Sequence, residues 1–254
     1  MRASFISILS AASFCSLLFP VVAQSDTPSR LARNPSVVHA PVQKVFVPVG
    51  FDDNDNAEIV VHGYFPNSCY KAGQVTAEVD ATNRKITVHA RAYLYPSSFC
   101  LQMILPFTES IKLGVLKPGN YDIVVEGSPN ASVLPLIVEP RKSENADDYL
   151  YASATSANLV QDEATGAFNL NLSGSHPLMF VGCMIMKEVK TYLTSGNVLV
   201  VLPIAEAVDD ERCLKPKWQE KFNVSVPVEK PMDGDILVHV RVLNGQSLNT
   251  FVKK

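Results

Sequence analysis

The sequence predicts an all-β protein of two tandem β-sandwiches, and three observations carry that prediction. Apolar residues alternate with polar ones over short runs bounded by Pro, Gly and Asn, which is the period of strands rather than helices. One arrangement then occurs twice in the same order: an apolar strand, a Gly, a Pro three residues on, a Cys, two alternating segments around a polar turn, and a Cys-Leu pair. Spacings agree between the copies, since Cys69 and Cys100 lie 31 residues apart, Cys183 and Cys213 lie 30 apart, and Gly119 and Gly234 follow by 19 and 21. A chain of 254 residues has room for two units that each bury a core.

Met1-Arg2 is a short positive lead, residues 3–22 are apolar, and Val21-Val22-Ala23 offers the small residues a signal peptidase reads. Residues 1–23 are therefore expected to be a signal peptide and the protein to be periplasmic or secreted, with no transmembrane anchor after cleavage. Residues 24–40, polar and interrupted by Pro28 and Pro35, read as a flexible lead. The first sandwich is expected over 41–140, with strands at 45–49, 57–63, 75–79, 85–93, 111–116, 121–125 and 133–138. The Ala81-Thr82-Asn83 and Lys117-Pro118-Gly119-Asn120 segments supply turns between them. Residues 141–148, charged and poor in apolar residues, form the linker. The second sandwich is expected over 149–254, with strands at 150–159, 167–172, 184–193, 198–202 and 236–242.

Signal cleavage removes Cys15 and leaves four cysteines, an even number that suits an oxidising compartment. Four cysteines allow three pairings, and a duplicated unit selects one: Cys69 with Cys100 and Cys183 with Cys213, each inside its own domain. Without the signal the chain has 21 basic and 25 acidic residues, a net charge near −4. That balance excludes nucleic acid as an electrostatically recruited partner.

Alternating strands with one disulfide per unit resemble the immunoglobulin-like sandwich of many exported bacterial proteins. The resemblance is to a fold. The antibody-type core needs a Trp between the cysteines and a Tyr two residues before the second, whereas Trp218 lies beyond the last Cys and Ser98 and Glu211 occupy the Tyr positions. Each disulfide is accordingly expected to pin a loop rather than cross a core. The two-domain architecture is also similar to the periplasmic chaperones of pilus assembly, which bind by adding a strand at a sheet edge, and none of their motifs maps onto this chain.

Candidate chemistry is sparse. Asp52, Asp53 and Asp55, with Asn54 and Asn56, cluster oxygen donors of the kind Ca²⁺ takes, yet the Gly and Glu of the helical calcium loop are missing and such clusters are common in solvated turns. His39, His62, His89, His176 and His239 are scattered without zinc-ligand spacing, and those on strands are expected to be hydrogen-bonded or solvent-facing. Ser173 lacks the following Gly of a nucleophile elbow, and no phosphate loop or dinucleotide fingerprint occurs. Asn130, Asn171 and Asn223 stand in formal glycosylation sequons and are expected to be bare. Trp218 with Lys217, Lys221 and Phe222 forms an aromatic-basic segment that the first copy lacks, a candidate partner contact.

No cofactor is expected. The function that follows is a non-catalytic exported binding or scaffolding protein of the cell envelope, its partner a protein or an envelope polymer. Two other readings have defined marks. A secreted hydrolase or carbohydrate-active protein would need a cleft with paired carboxylates, for which Asp209, Asp210, Glu211 and the Asp52 loop are the nominees. An inhibitor, or a chaperone-like protein acting through a sheet edge, would present an ordered apolar loop tip or an unpaired strand.

Overall fold

The computed structural model describes residues 34–96, 99–176, 183–208, 221–229 and 233–253, all within one compact unit spanning 34–254. Among these residues there are strands and no helix. The first half forms two sheets. One contains β1 (Ser36–His39), β6 (Lys85–Leu94), β8 (Gly119–Val125), β10 (Leu136–Glu139) and β3 (Phe51–Asp52), with β5 (Tyr70–Asp80) on the opposite edge of β6. The other runs β7 (Leu105–Gly114), β4 (Ala57–Phe65), β2 (Val42–Phe46) and β9 (Ser132–Val133). The chain passes between these sheets at Pro41, between β1 and β2, and at Pro135, between β9 and β10. A proline has no N–H to contribute to either ladder, which suits a residue that leaves one sheet for another.

The second half forms a sheet of β13 (Met184–Leu193), β14 (Val198–Ala207), β16 (Ile236–Val242) and β17 (Gln246–Val252), and another of β11 (Ala154–Gln161), β12 (Phe168–Ser175) and β15 (Lys221–Val228). Its pairings follow those of the first half. β5 and β6 pair antiparallel as β13 and β14 do; β6 and β8 pair parallel as β14 and β16 do; β8 and β10 pair antiparallel as β16 and β17 do. Even local irregularities correspond. β2 shifts register between Val42 and Lys44 opposite Gly63, and β11 shifts between Ala154 and Ser156 opposite Gly174.

Those two glycines are required by contact. A Cβ on Gly63 would strike the Pro41 carbonyl oxygen and the Phe107 ring, and one on Gly174 would strike the Ser153 carbonyl oxygen and the Phe222 ring. In both halves the Gly lets the bulged strand and a neighbouring Phe close over one spot.

Three apolar clusters layer the molecule. Ile59, Val61, Ile86, Val88, Tyr121 and Leu136 lead the core between the first two sheets, and Leu170, Leu172, Leu199, Val201, Val238 and Val240 that of the second pair. The third joins the halves: Phe46 and Val60 pack with Val198, Val200 and Leu237, flanked by Leu202 and Phe251. The β2–β4 sheet and the β14–β16 sheet are thus covered on both faces. This is why Ile59-Val60-Val61 and the 198–201 run are continuously apolar instead of alternating.

This geometry adjusts the expected strands at several places. Ser36–His39, expected within a flexible lead, instead pairs with β6 through Val37 opposite Tyr93 and Val38 opposite Ala92. The first-half strand expected at 45–49 lies at Val42–Phe46, and the one expected at 111–116 begins at Leu105. β15 and β17 were not foreseen. The 141–148 linker carries no strand but is tied at both ends: Asn54 Nδ2 donates to the carbonyls of Ser143 and Asn145, and Gly245 N donates to Asp147 Oδ2.

Candidate functional site: a disulfide-stapled apolar loop

Between β6 and β7 the chain leaves the sheets and carries Phe99, Cys100, Leu101, Gln102, Met103 and Ile104. Cys100 is bonded to Cys69, with Cα atoms 5.4 Å apart. Backbone bonds complete the staple. Ser68 N donates to the Leu101 carbonyl at 3.0 Å, Leu101 N donates to Ser68 Oγ at 2.9 Å, and Tyr95 N donates to the Cys69 carbonyl at 2.9 Å. Asn67 Oδ1 accepts from Cys69 N and holds the strand that anchors the loop. With its backbone fixed, the loop turns its large side chains outward: Phe99 is 74% exposed, Leu101 54%, Met103 44% and Ile104 70%. Four such residues within six positions, each of which gains by leaving water, form an exposed apolar patch rather than a core segment. A groove of about 440 Å³ adjoins the loop, lined by Gln43, Tyr64, Phe65, Pro66, Ile104 and Lys253.

A second concentration of polar groups lies in the seam between the halves. Arg241 and Asp55, each under one-tenth exposed, pair at 3.0 Å, and Arg241 also donates to the Gly50 carbonyl and covers the Phe51 ring. Burial pushes the Asp55 carboxyl up, and the Arg241 charge opposes it. Glu58 accepts from Ser247 Oγ at 2.6 Å and Asn249 Nδ2 at 2.6 Å, with His239 Nδ1 3.3 Å away. Burial alone would raise the Glu58 carboxyl, but His239, Asn249 and Ser247 together outweigh it and bring it down to about 2. His62 stacks on Phe251 at 4.2 Å, and Tyr64 Oη donates to Asp235 Oδ2 at 2.8 Å. Desolvation lowers the His62 pKa against the pull of Asp235. About 20 Å³ of free space remains beside Glu58, His239 and Arg241, room for a single water. The seam ties sheet to sheet.

The residues singled out in the sequence are placed as follows. Of the aspartates of the oxygen-rich loop, Asp52 Oδ1 accepts from Asn54 N, Asp53 Oδ1 accepts from Arg141 N, and Asp55 Oδ2 accepts from Asp52 N and Arg241. Among the described residues no group of three or more His, Cys, Asp or Glu side chains is arranged to hold a metal ion. Phe222, expected at a partner contact, is instead buried beneath Gly174 and beside His176, because its alternation on β15 points it inward. Lys221 is exposed at the start of β15. Trp218, Lys217, Asp209, Asp210 and Glu211 lie outside the described residues. Cys183 is disulfide-bonded, and Cys213, its expected partner, also lies outside them.

The stapled loop was missed by a search for chemistry, although its signal is legible. Residues 92–108 contain no Asp, Glu, Lys, Arg or His, and the Cys in their middle is fixed. Only the exposure of the loop separates it from a core strand of like composition.

Sheets packed face to face with a loop pinned at one end define a β-sandwich protein with a loop-borne surface. Residues 59–134, from within β4 to just past β9 and including the stapled loop, match the family model described as the ORF11 beta-sandwich domain. No curated protein and no solved structure matches the chain.

Proposed function

We propose that this chain is an exported, non-catalytic binding protein of the cell envelope, built from two tandem immunoglobulin-like sandwiches, about 41–140 and 149–254, that mount the stapled loop as the binding element. The tandem reading is supported by the matched pairings of the two halves and by the paired glycines at positions 63 and 174. Export is supported by the apolar leader and by cysteines held as disulfides. The observation that carries the binding reading is the exposure of Phe99, Leu101, Met103 and Ile104 on a backbone fixed by a covalent bond. An anchor ordered before contact loses little entropy when it binds.

The same ordered tip supports one other reading, an inhibitor that inserts this loop into its target. The test of the first reading is capture from envelope extract by the oxidised chain, compared with Leu101→Ser/Ile104→Ser. Specific capture that the double variant loses supports it. Turnover of an envelope polymer by the wild type, with capture absent, overturns it.

A further inference from the structure

We propose that the partner of the stapled loop is a lipid surface, into which Phe99, Leu101, Met103 and Ile104 insert while the sandwiches stay in water. This rests on the binding reading above and names its target. Three features argue for lipid over protein.

The first is the state of the backbone. A segment entering hydrocarbon must have its N–H and C=O groups paired beforehand, since lipid offers no partner. At the centre of the tip this condition is met, because both the N–H and the C=O of Leu101 bond to Ser68. A loop built for strand addition to a protein partner would keep those groups open.

The second is charge. No ionisable side chain other than Tyr occurs from 92 to 108 apart from the bonded Cys100, and cations stand at the base of the loop. Lys71 Nζ lies 5.1 Å from the Tyr95 ring centroid, and Lys253 Nζ lies 5.5 Å from that of Tyr64, beside Ile104 in the groove. Apolar side chains with tyrosine rings and amines close to them are the groups that hydrocarbon, interface and phosphate headgroups take. Because the mature chain is net acidic, apolar insertion and not long-range attraction drives the association.

The third is size. A stable protein interface engages roughly 20–30 residues a side, whereas the tip offers the four exposed side chains named above with Tyr93 and Tyr95 at its base. That is too small for a second copy of this chain and sufficient for shallow insertion.

The test is co-sedimentation of the oxidised mature chain with vesicles of phosphatidylethanolamine and phosphatidylglycerol, at low and high salt. The wild type is expected to sediment with vesicles at both salt concentrations. Leu101→Ser/Ile104→Ser is expected to weaken this on the order of tenfold or more, with an unchanged circular dichroism spectrum because both side chains are exposed. Val160→Ser, an exposed apolar position on β11, is expected to bind like the wild type. A folded wild type that does not sediment overturns the inference, as does binding that survives in the double variant. If vesicle binding is absent while the double variant still loses capture of a protein from envelope extract, the lipid inference falls and the binding reading stands. If both are absent, both fall. Concentration-dependent dimers that the double variant abolishes, without vesicle binding, would replace lipid with a second copy.

Discussion

At the scale of single residues, the seam between the halves depends on charges held away from water. Arg241 neutralises Asp55 where neither is solvated, so Arg241→Ala leaves a carboxylate stranded and is expected to destabilise by about 3–5 kcal/mol. Arg241→Met with Asp55→Asn keeps volume without charge and is expected to recover much of that loss, as chemical denaturation of both variants would show. Acid acts on the same seam. Glu58 titrates near 2 when folded and near 4.5 when unfolded, so its contribution is fully present above 4.5 and is lost as pH falls toward 2. That difference corresponds to on the order of 3 kcal/mol. His62 adds to the trend from a higher pH. Its folded pKa is lowered, so below the ordinary histidine value of 6.5 the unfolded chain takes a proton that the folded chain refuses. Stability measured by denaturant titration is expected to fall as pH drops below 6.5 and again below 4.5, and Glu58→Gln is expected to flatten the lower step.

At the scale of elements, the recurring order of a Gly, a Pro three residues on and a Cys located the strands that end near Gly63 and Gly174, and the contacts explain the glycines. Each glycine admits a carbonyl and a phenyl ring that a methyl group would strike. Gly63→Ala and Gly174→Ala are each expected to cost about 1–3 kcal/mol, read as a lowered denaturation midpoint with an unchanged slope. The Cys69–Cys100 staple was equally legible, because the nearly equal Cys spacings of 31 and 30 residues select one pairing. Closing a 31-residue loop contributes up to about 3–4 kcal/mol by chain entropy. Cys69→Ser/Cys100→Ser is therefore expected to lower stability by up to that amount and to increase proteolytic cutting between Tyr95 and Leu105. Other elements were hidden for physical reasons. Phe222 looked like a contact residue because basic residues flank it in the sequence, but alternation on β15 turns it into the core. The partners of the Asp52 loop were hidden because sequence shows oxygen-bearing side chains without what they bond, and Arg241, which pairs with Asp55, is 186 residues away along the chain.

At the scale of the whole molecule, the sequence reading of two separable sandwiches omitted what joins them. The apolar runs at 59–61, 198–201 and 236–238 already implied strands covered on both faces, and the layer that covers them is the other half. Glu58, His239, Arg241 and Asp55 lie at that layer and form a polar seam of paired groups. With the inner sheet faces covered, the stapled loop in the first half is the surface on which the proposed binding rests. Oxidative footprinting of the mature chain before and after adding envelope membranes tests this most directly. Protection from hydroxyl radicals concentrated at Phe99, Leu101, Met103 and Ile104 is the predicted result; full reactivity at these four with protection elsewhere on the sandwiches would contradict it.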